Sequence, residues 1–493
     1  MTAEQLRALL DGRERRLHEV RAALGRLQFQ QYAEKRPQPG MAELEAEQAA
    51  IQQDPAVAEA VAAWQGRDPG DPLLGRRVEL WARSLRRAAV DGSPDVLRLR
   101  RELADDVVSA RYDVGGREVD LGAVRDALRK EPDAEARRRA WLSYGALSRR
   151  VDGRLRELMR LRNARARAVG ASGYVELALG HAGLLRDQVE ATLRRLCAAT
   201  DGAFTGLLDG RRVAPWDVGY LLEGQAAPPA GRFPRAEMLP RLHAWARQHG
   251  LDPDRSGISI HFIDIPYNGL SMPIDPPRDV RVLLNPGDGH LYYKLLWHEY
   301  GHALHATGNR QATAVLRQEP PVFNEAMAES LAFFTLEPDW VAAFGASPAE
   351  AEATIRAGLG AWLLWLRTRS AHALFEYGAY DDPDGDLDGA YAAAEARYLG
   401  CDEDPAPRWA ANAWFTSYPV YWQNYVLGDV IAAQIHAAMR AQVGPVNGNP
   451  AAIAFLREQF WAPGGSVDWQ VKVERATGRP LDAEDLIARL AAT

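Results

Sequence analysis

From Thr2 to about Leu208, apolar residues recur at the three-and-four spacing of amphipathic helices, in a background rich in Arg, Glu, Leu and Ala. The run breaks at Pro37-Gln38-Pro39-Gly40, Asp68-Pro69-Gly70-Asp71-Pro72 and Asp91-Gly92-Ser93-Pro94, where proline and glycine oppose helix continuation. Long helices joined by turns are therefore expected, and their charged faces read as solvated surface. Between Gly210 and Pro286 the texture changes. Gly and Pro cluster there, and Ile258-Ser259-Ile260-His261-Phe262-Ile263 and Val280-Arg281-Val282-Leu283-Leu284 read as short strands. Helical spacing then returns to the end. The predicted class is mostly α, with one small sheet at about 256–285.

With 493 residues, 47% of them hydrophobic and 25% charged, the chain can bury a substantial core in the manner of an ordinary soluble protein. No stretch approaches the ~20 apolar residues of a membrane span. A net charge of -7 excludes a sequence-independent nucleic-acid binder, which needs a basic excess to neutralise phosphates. Met1-Thr2-Ala3-Glu4-Gln5 opens directly into a charged helical pattern without the apolar core of a secretory signal, so a cytoplasmic protein is expected. Cys197 and Cys401 are far apart and lack ligand spacing, and they read as buried reduced thiols.

One segment stands out chemically. Asn285-Pro286-Gly287-Asp288-Gly289 reads as a turn with a helix-starting Asp, and Thr307-Gly308-Asn309 as a stop, which predicts a helix over about 289–307. On it lies His298-Glu299-Tyr300-Gly301-His302. Residues four apart share a helix face, so both imidazoles can reach one metal ion. Glu299 is offset around the helix, where it can act as general base towards a water without being a ligand. Tyr292, Tyr293, Leu296, Tyr300 and Leu304 make the rest of the helix apolar, so it should be buried nearly all round. His305 is about 10 Å along the axis from His298, too far to share its ion, and reads as packing or substrate-facing.

After Pro320-Pro321, Val322-Phe323-Asn324-Glu325-Ala326-Met327-Ala328-Glu329-Ser330 resumes helical spacing, with Asn324 as the expected cap of a helix over about 324–336. Glu325 and Glu329 share one face of an otherwise apolar helix, where unpartnered carboxylates are costly to bury. Catalytic zinc commonly takes three protein ligands and leaves a fourth position for water. His298, His302 and Glu325 are thus the predicted ligands of one Zn2+ per chain, and Glu329 is expected to orient a ligating imidazole.

These two segments, His298-Glu299-Tyr300-Gly301-His302-Ala303-Leu304-His305 and Phe323-Asn324-Glu325-Ala326-Met327-Ala328-Glu329, resemble the thimet oligopeptidase and oligoendopeptidase F group of metallopeptidases and, more distantly, angiotensin-converting enzyme. Weaker likeness lies in Leu161-Arg162-Asn163-Ala164-Arg165, Pro215-Trp216-Asp217 and Thr477-Gly478-Arg479-Pro480-Leu481. The resemblance implies a two-lobed helical body with a deep channel, here an N-terminal lobe of residues 1–209 and a catalytic lobe of 210–493, with zinc at the channel floor and oligopeptide substrates. It also implies that Tyr425 and Tyr418, in Tyr418-Pro419-Val420-Tyr421-Trp422-Gln423-Asn424-Tyr425, steady the oxyanion of the scissile carbonyl. Trp422 stands where some relatives carry tyrosine, and the histidine usual upstream is absent from Asn412-Ala413-Trp414.

The expected activity is hydrolysis of peptide bonds in oligopeptides. A carboxypeptidase or dipeptidyl carboxypeptidase of the same fold is the alternative, and it would need a fixed cation for the substrate's terminal carboxylate. A non-catalytic peptide binder with structural zinc is the alternative of another class, against which the presence of Glu299 speaks. The strand Val280–Leu284, read as an edge, could pair with an extended peptide. Asp384-Gly385-Asp386-Leu387-Asp388-Gly389 with Glu395 has the spacing of a calcium loop, but Pro383 and Tyr391 depart from the pattern, and an acidic turn into a helix is the expected reading.

Overall fold

The computed structural model describes residues 1–223, 230–265 and 268–491. The architecture is mostly helical, as the periodicity predicts. Ala3–Glu34, Met41–Gln52, Pro55–Trp64, Pro72–Asp91 and Pro94–Val108 are the first five helices. The punctuating prolines start helices as well as separating them: Pro55 and Pro94 occupy first-turn positions, where a missing N–H costs nothing. Thr2 and Gln5 close a reciprocal capping box on the first helix. A two-stranded ribbon, Tyr112–Asp113 with Glu118–Val119, was not foreseen, since two-residue strands leave no periodic signal.

Contacts divide the chain into two units. Met1–Ala88, Pro228–Ile355 and Leu427–Leu486 form one, and Ala89–Ala227, Arg356–Val426 and Ile487–Thr493 the other. The boundary expected at 209/210 falls inside the second unit. There the segment after residue 356 returns to helices laid down much earlier: Arg367 donates to the Cys197 carbonyl at 2.7 Å, and Asn163 to that of Tyr380 at 2.7 Å. Pairings so distant in sequence leave no local mark. Both cysteines are free and buried. No helix among the described residues is long and apolar enough to cross a membrane.

The first unit holds a three-stranded sheet. Its order is Ile258–Phe262, Asp279–Leu284, Gly269–Asp275, with the first pair parallel and the second antiparallel. The strand expected at an edge, Val280–Leu284, is instead the central one, because the unforeseen strand Gly269–Asp275 pairs with its other side. Val280 and Val282 pack with Ala303 of the helix that follows. The first helix covers the sheet through Gly25, where an added Cβ would lie 3.3 Å from Ile274.

Candidate active site

The helix bearing the two histidines spans His290–Gly308. Its N-cap is Gly289, with φ 116 and no side-chain cap. Asp288, expected to start the helix, instead accepts the Arg235 backbone N–H at 2.7 Å. One flank is an aromatic layer: Trp297 meets Trp340 edge-on at 5.3 Å between ring centres, and Tyr293 meets Phe344 at 5.3 Å. Such packing leaves the histidine-bearing flank little freedom to shift.

The second helix begins at Pro321, three residues before the expected start, and continues to Ala332, followed by a 3-10 turn over Phe333–Leu336. Pro320 is the N-cap and Pro321 the first helical residue. Asn324 lies inside the helix and donates to the Glu319 carbonyl at 3.1 Å. The two helices meet at Gly301, where an added Cβ would stand 2.8 Å from the Ala328 Cα. Only glycine permits that approach, which sets Glu325 and Glu329 against the histidines. Gly428 backs Glu325 in the same way, its virtual Cβ 2.8 Å from the Glu325 Cβ.

One donor atom each from His298, His302 and Glu325 lies within 4.8 Å of the others. Glu325 Oε2 is 3.6 Å from His298 Nε2 and 3.8 Å from His302 Nε2. Two donors about 2.1 Å from a shared ion in a tetrahedron stand about 3.4 Å apart, so this set of two imidazoles and a carboxylate fits zinc. His298 Nδ1 lies 2.8 Å from Glu329 Oε1, which fixes the ring and turns Nε2 towards Glu325 and His302. Lys294, one turn before His298, is 3.5 Å from the other Glu329 oxygen.

Charge follows burial here. Desolvation pushes the His298 imidazole down, but the hydrogen bond and charge of Glu329, with Glu299 and Glu325 nearby, outweigh it and lift His298 to about 9. Burial holds His302 well below the usual histidine range, and the neighbouring His298 and His305 add to this. Against its own burial, Glu329 is held low by Lys294 and His298. Glu299 goes the other way. Burial raises it to about 7; Glu325 and Glu329 add to the rise, while His298 and the Ser271 backbone N–H oppose it. Gly269 makes room for this carboxylate, since an added Cβ would lie 2.6 Å from the Glu299 Cγ.

The fold is shared with two solved carboxypeptidases. An M32 carboxypeptidase from Deinococcus radiodurans R1 superposes with a TM-score of 0.72 at 17% identity, covering 99% of this chain and 98% of that one. A Pyrococcus furiosus carboxypeptidase, in a structure described as Apo-Mg, gives 0.70 at 14% identity, covering 100% and 98%. No family model matches the chain, and no curated protein does.

The second unit holds the tyrosines. Tyr418 is 44% exposed, and its ring meets Tyr421 at 6.1 Å. Tyr421 meets Tyr425 at 5.4 Å, and Tyr425 meets Trp365 at 5.3 Å. The Arg369 guanidinium stacks on Trp365, 5.4 Å from the Tyr425 ring and 5.5 Å from that of Trp422.

His305 is a packing residue, buried 3.5 Å from Glu319, which also pairs with buried Lys472. The calcium spacing is dispersed over other partners: Asp384 pairs with Arg160 at 2.6 Å, Asp386 caps the helix Leu387–Leu399, and Glu395 is buried against Arg408. The sequence reading missed Lys294, Gly269 and Ser271. Lys294 had a local signal, four residues before His298 on an otherwise apolar helix. Gly269 and Ser271 had none, because their contact with Glu299 depends on strand pairing.

Proposed function

We propose that the chain is a zinc-dependent metallopeptidase acting on peptides short enough to present a terminus. The observation that carries this reading is the convergence of His298, His302 and Glu325 within 4.8 Å, with Glu299 buried on the same helix. Zinc bound by these three residues supplies Lewis acidity to a water and to the substrate carbonyl. Glu299 takes the proton from the attacking water and passes it to the leaving amine. The Ser271 N–H steadies that carboxylate, and Glu329 fixes the His298 ring. Tyr425 and Tyr418 donate hydrogen bonds to the oxyanion. No acyl-enzyme forms.

Two modes of action are open to such a site. The motifs alone read as an oligopeptidase, but the fold shared with two carboxypeptidases favours release of C-terminal residues. That mode needs a fixed cation to receive the substrate's terminal carboxylate. Matched peptides with free and amidated C-termini test this. The reading expects sequential loss of C-terminal residues from the free acids, little turnover of the amides, and abolition by a chelator. Internal cleavage of both forms would restore oligopeptidase action, and peptide binding without turnover would leave only the non-catalytic alternative.

A further inference from the structure

Between the short helix Ala413–Ser417 and the helix Trp422–Val443 the chain turns at Val420, whose φ is 53. Of the three non-glycine residues with positive φ among the described residues, Lys35, Asp209 and Val420, only the valine is β-branched. Its γ-methyls crowd the backbone in that conformation, which persists only where the surroundings impose it.

The surroundings are buried side chains: two meet the backbone of Val420 itself, and a third meets the last carbonyls of the short helix before it. Glu376, with no solvent exposure, accepts the Val420 N–H at 2.9 Å. Gln423, 2% exposed, donates to the Val420 carbonyl at 2.8 Å. Arg162, 1% exposed, donates to the Thr416 carbonyl at 3.1 Å and reaches that of Phe415 at 3.4 Å. Placing a carboxylate, an amide and a guanidinium out of water to hold one short turn is expensive unless the turn must keep its shape. Relaxing Val420 to ordinary helical φ would rotate the following chain by more than about 100°. Tyr418 lies on one side of that rotation and Tyr425 on the other.

We propose that Arg162, Glu376 and Gln423 form a cradle that holds the turn strained and so fixes the two phenols for their work on the oxyanion. Glu376 is then a positioning residue, acting through Val420 without touching substrate. The inference rests on the reading of Tyr418 and Tyr425 as oxyanion donors.

The test compares Glu376→Ala, Glu376→Gln, Gln423→Ala, Tyr425→Phe, Tyr418→Phe and the double variant Glu376→Ala with Val420→Gly, each as zinc-loaded full-length protein. Glu376→Ala should lower kcat by about tenfold to a hundredfold, with KM within about twofold and zinc content unchanged. Glu376→Gln keeps a carbonyl acceptor for the Val420 N–H and should retain most turnover. Glycine adopts positive φ without strain, so the double variant should regain turnover that the single variant lost. Gln423→Ala reaches the turn from its other side, so the inference stays testable if Glu376→Ala fails to fold. A purely structural Glu376 or Gln423 would lower Tm while leaving kcat per folded chain intact. That outcome overturns the cradle even when Tyr425→Phe is slow. If Tyr418→Phe and Tyr425→Phe both turn over at the parent rate, the oxyanion reading fails and the inference falls with it.

Discussion

The helix pair that carries the histidines and the turn that separates the two tyrosines achieve order by opposite means. In the first, sequence spacing does almost everything: residues four apart on each helix supply His298 and His302, then Glu325 and Glu329, and one glycine sets the distance between helices. In the second, the backbone itself is strained, and side chains from distant parts of the chain hold it. Glu376 is 44 residues from Val420 and Arg162 is 254 from Thr416. A site built on helical repeat should fail by losing a ligand, all at once. A site built on a held turn should fail in degree.

Several variants break or sharpen that contrast. The largest effect is expected from Glu325→Ala, which deletes one of three donors and leaves two imidazoles. Zinc should fall well below one per chain and hydrolysis should vanish, read by metal analysis after dialysis and by peptide turnover. Tight retention of zinc would move the third ligand elsewhere, with Glu329 the first suspect. Tyr425→Phe comes next. It should keep its zinc and lose about 10²-fold in kcat with KM little changed, because an oxyanion donor acts chiefly in the transition state. Glu329→Gln should weaken zinc affinity by about 10-fold to 100-fold, measured by competition with a chromophoric chelator, since the His298 ring loses its charged partner. An unchanged affinity would reduce Glu329 to a packing role.

The smallest effect is expected away from both regions. Burial works to raise the Glu395 carboxyl, but Arg408 and His372 outweigh it and hold it at about 2. Its folded pKa is therefore below the unfolded value of about 4.3, so its contribution to stability is full above that value and is lost as pH falls towards 2. Tm measured between pH 5 and 2 should fall less steeply in Glu395→Gln than in the parent, and millimolar calcium should shift neither. A calcium-dependent rise in Tm would return these residues to the cation-loop reading.

How much of this was legible in the sequence follows the same division. Helical class, the turns near residues 40, 70 and 92, the sheet before the histidine helix and the convergence of His298, His302 and Glu325 are all local or short-range patterns, and all are present in the structure. Helix starts were misplaced where proline was read as a barrier: Pro321 opens its helix and leaves Asn324 inside it. The strand Gly269–Asp275 went unseen although Leu270, Met272 and Ile274 alternate, because Pro273 inside the run argues against a strand. With it went the true neighbour of Glu299. Nothing in Tyr418-Pro419-Val420-Tyr421 announces a strained valine, since positive φ at a β-branched residue is imposed from outside the segment.

The central claim is that Glu299 is the proton acceptor of a zinc site formed by His298, His302 and Glu325. Its most direct test is Glu299→Gln, with zinc content and peptide turnover measured on the same sample. The amide preserves shape but cannot take up the proton, so the account predicts one zinc per chain, an unaltered Tm to within a few degrees, and turnover reduced by at least about 10³-fold. Hydrolysis at the parent rate with zinc in place would contradict it.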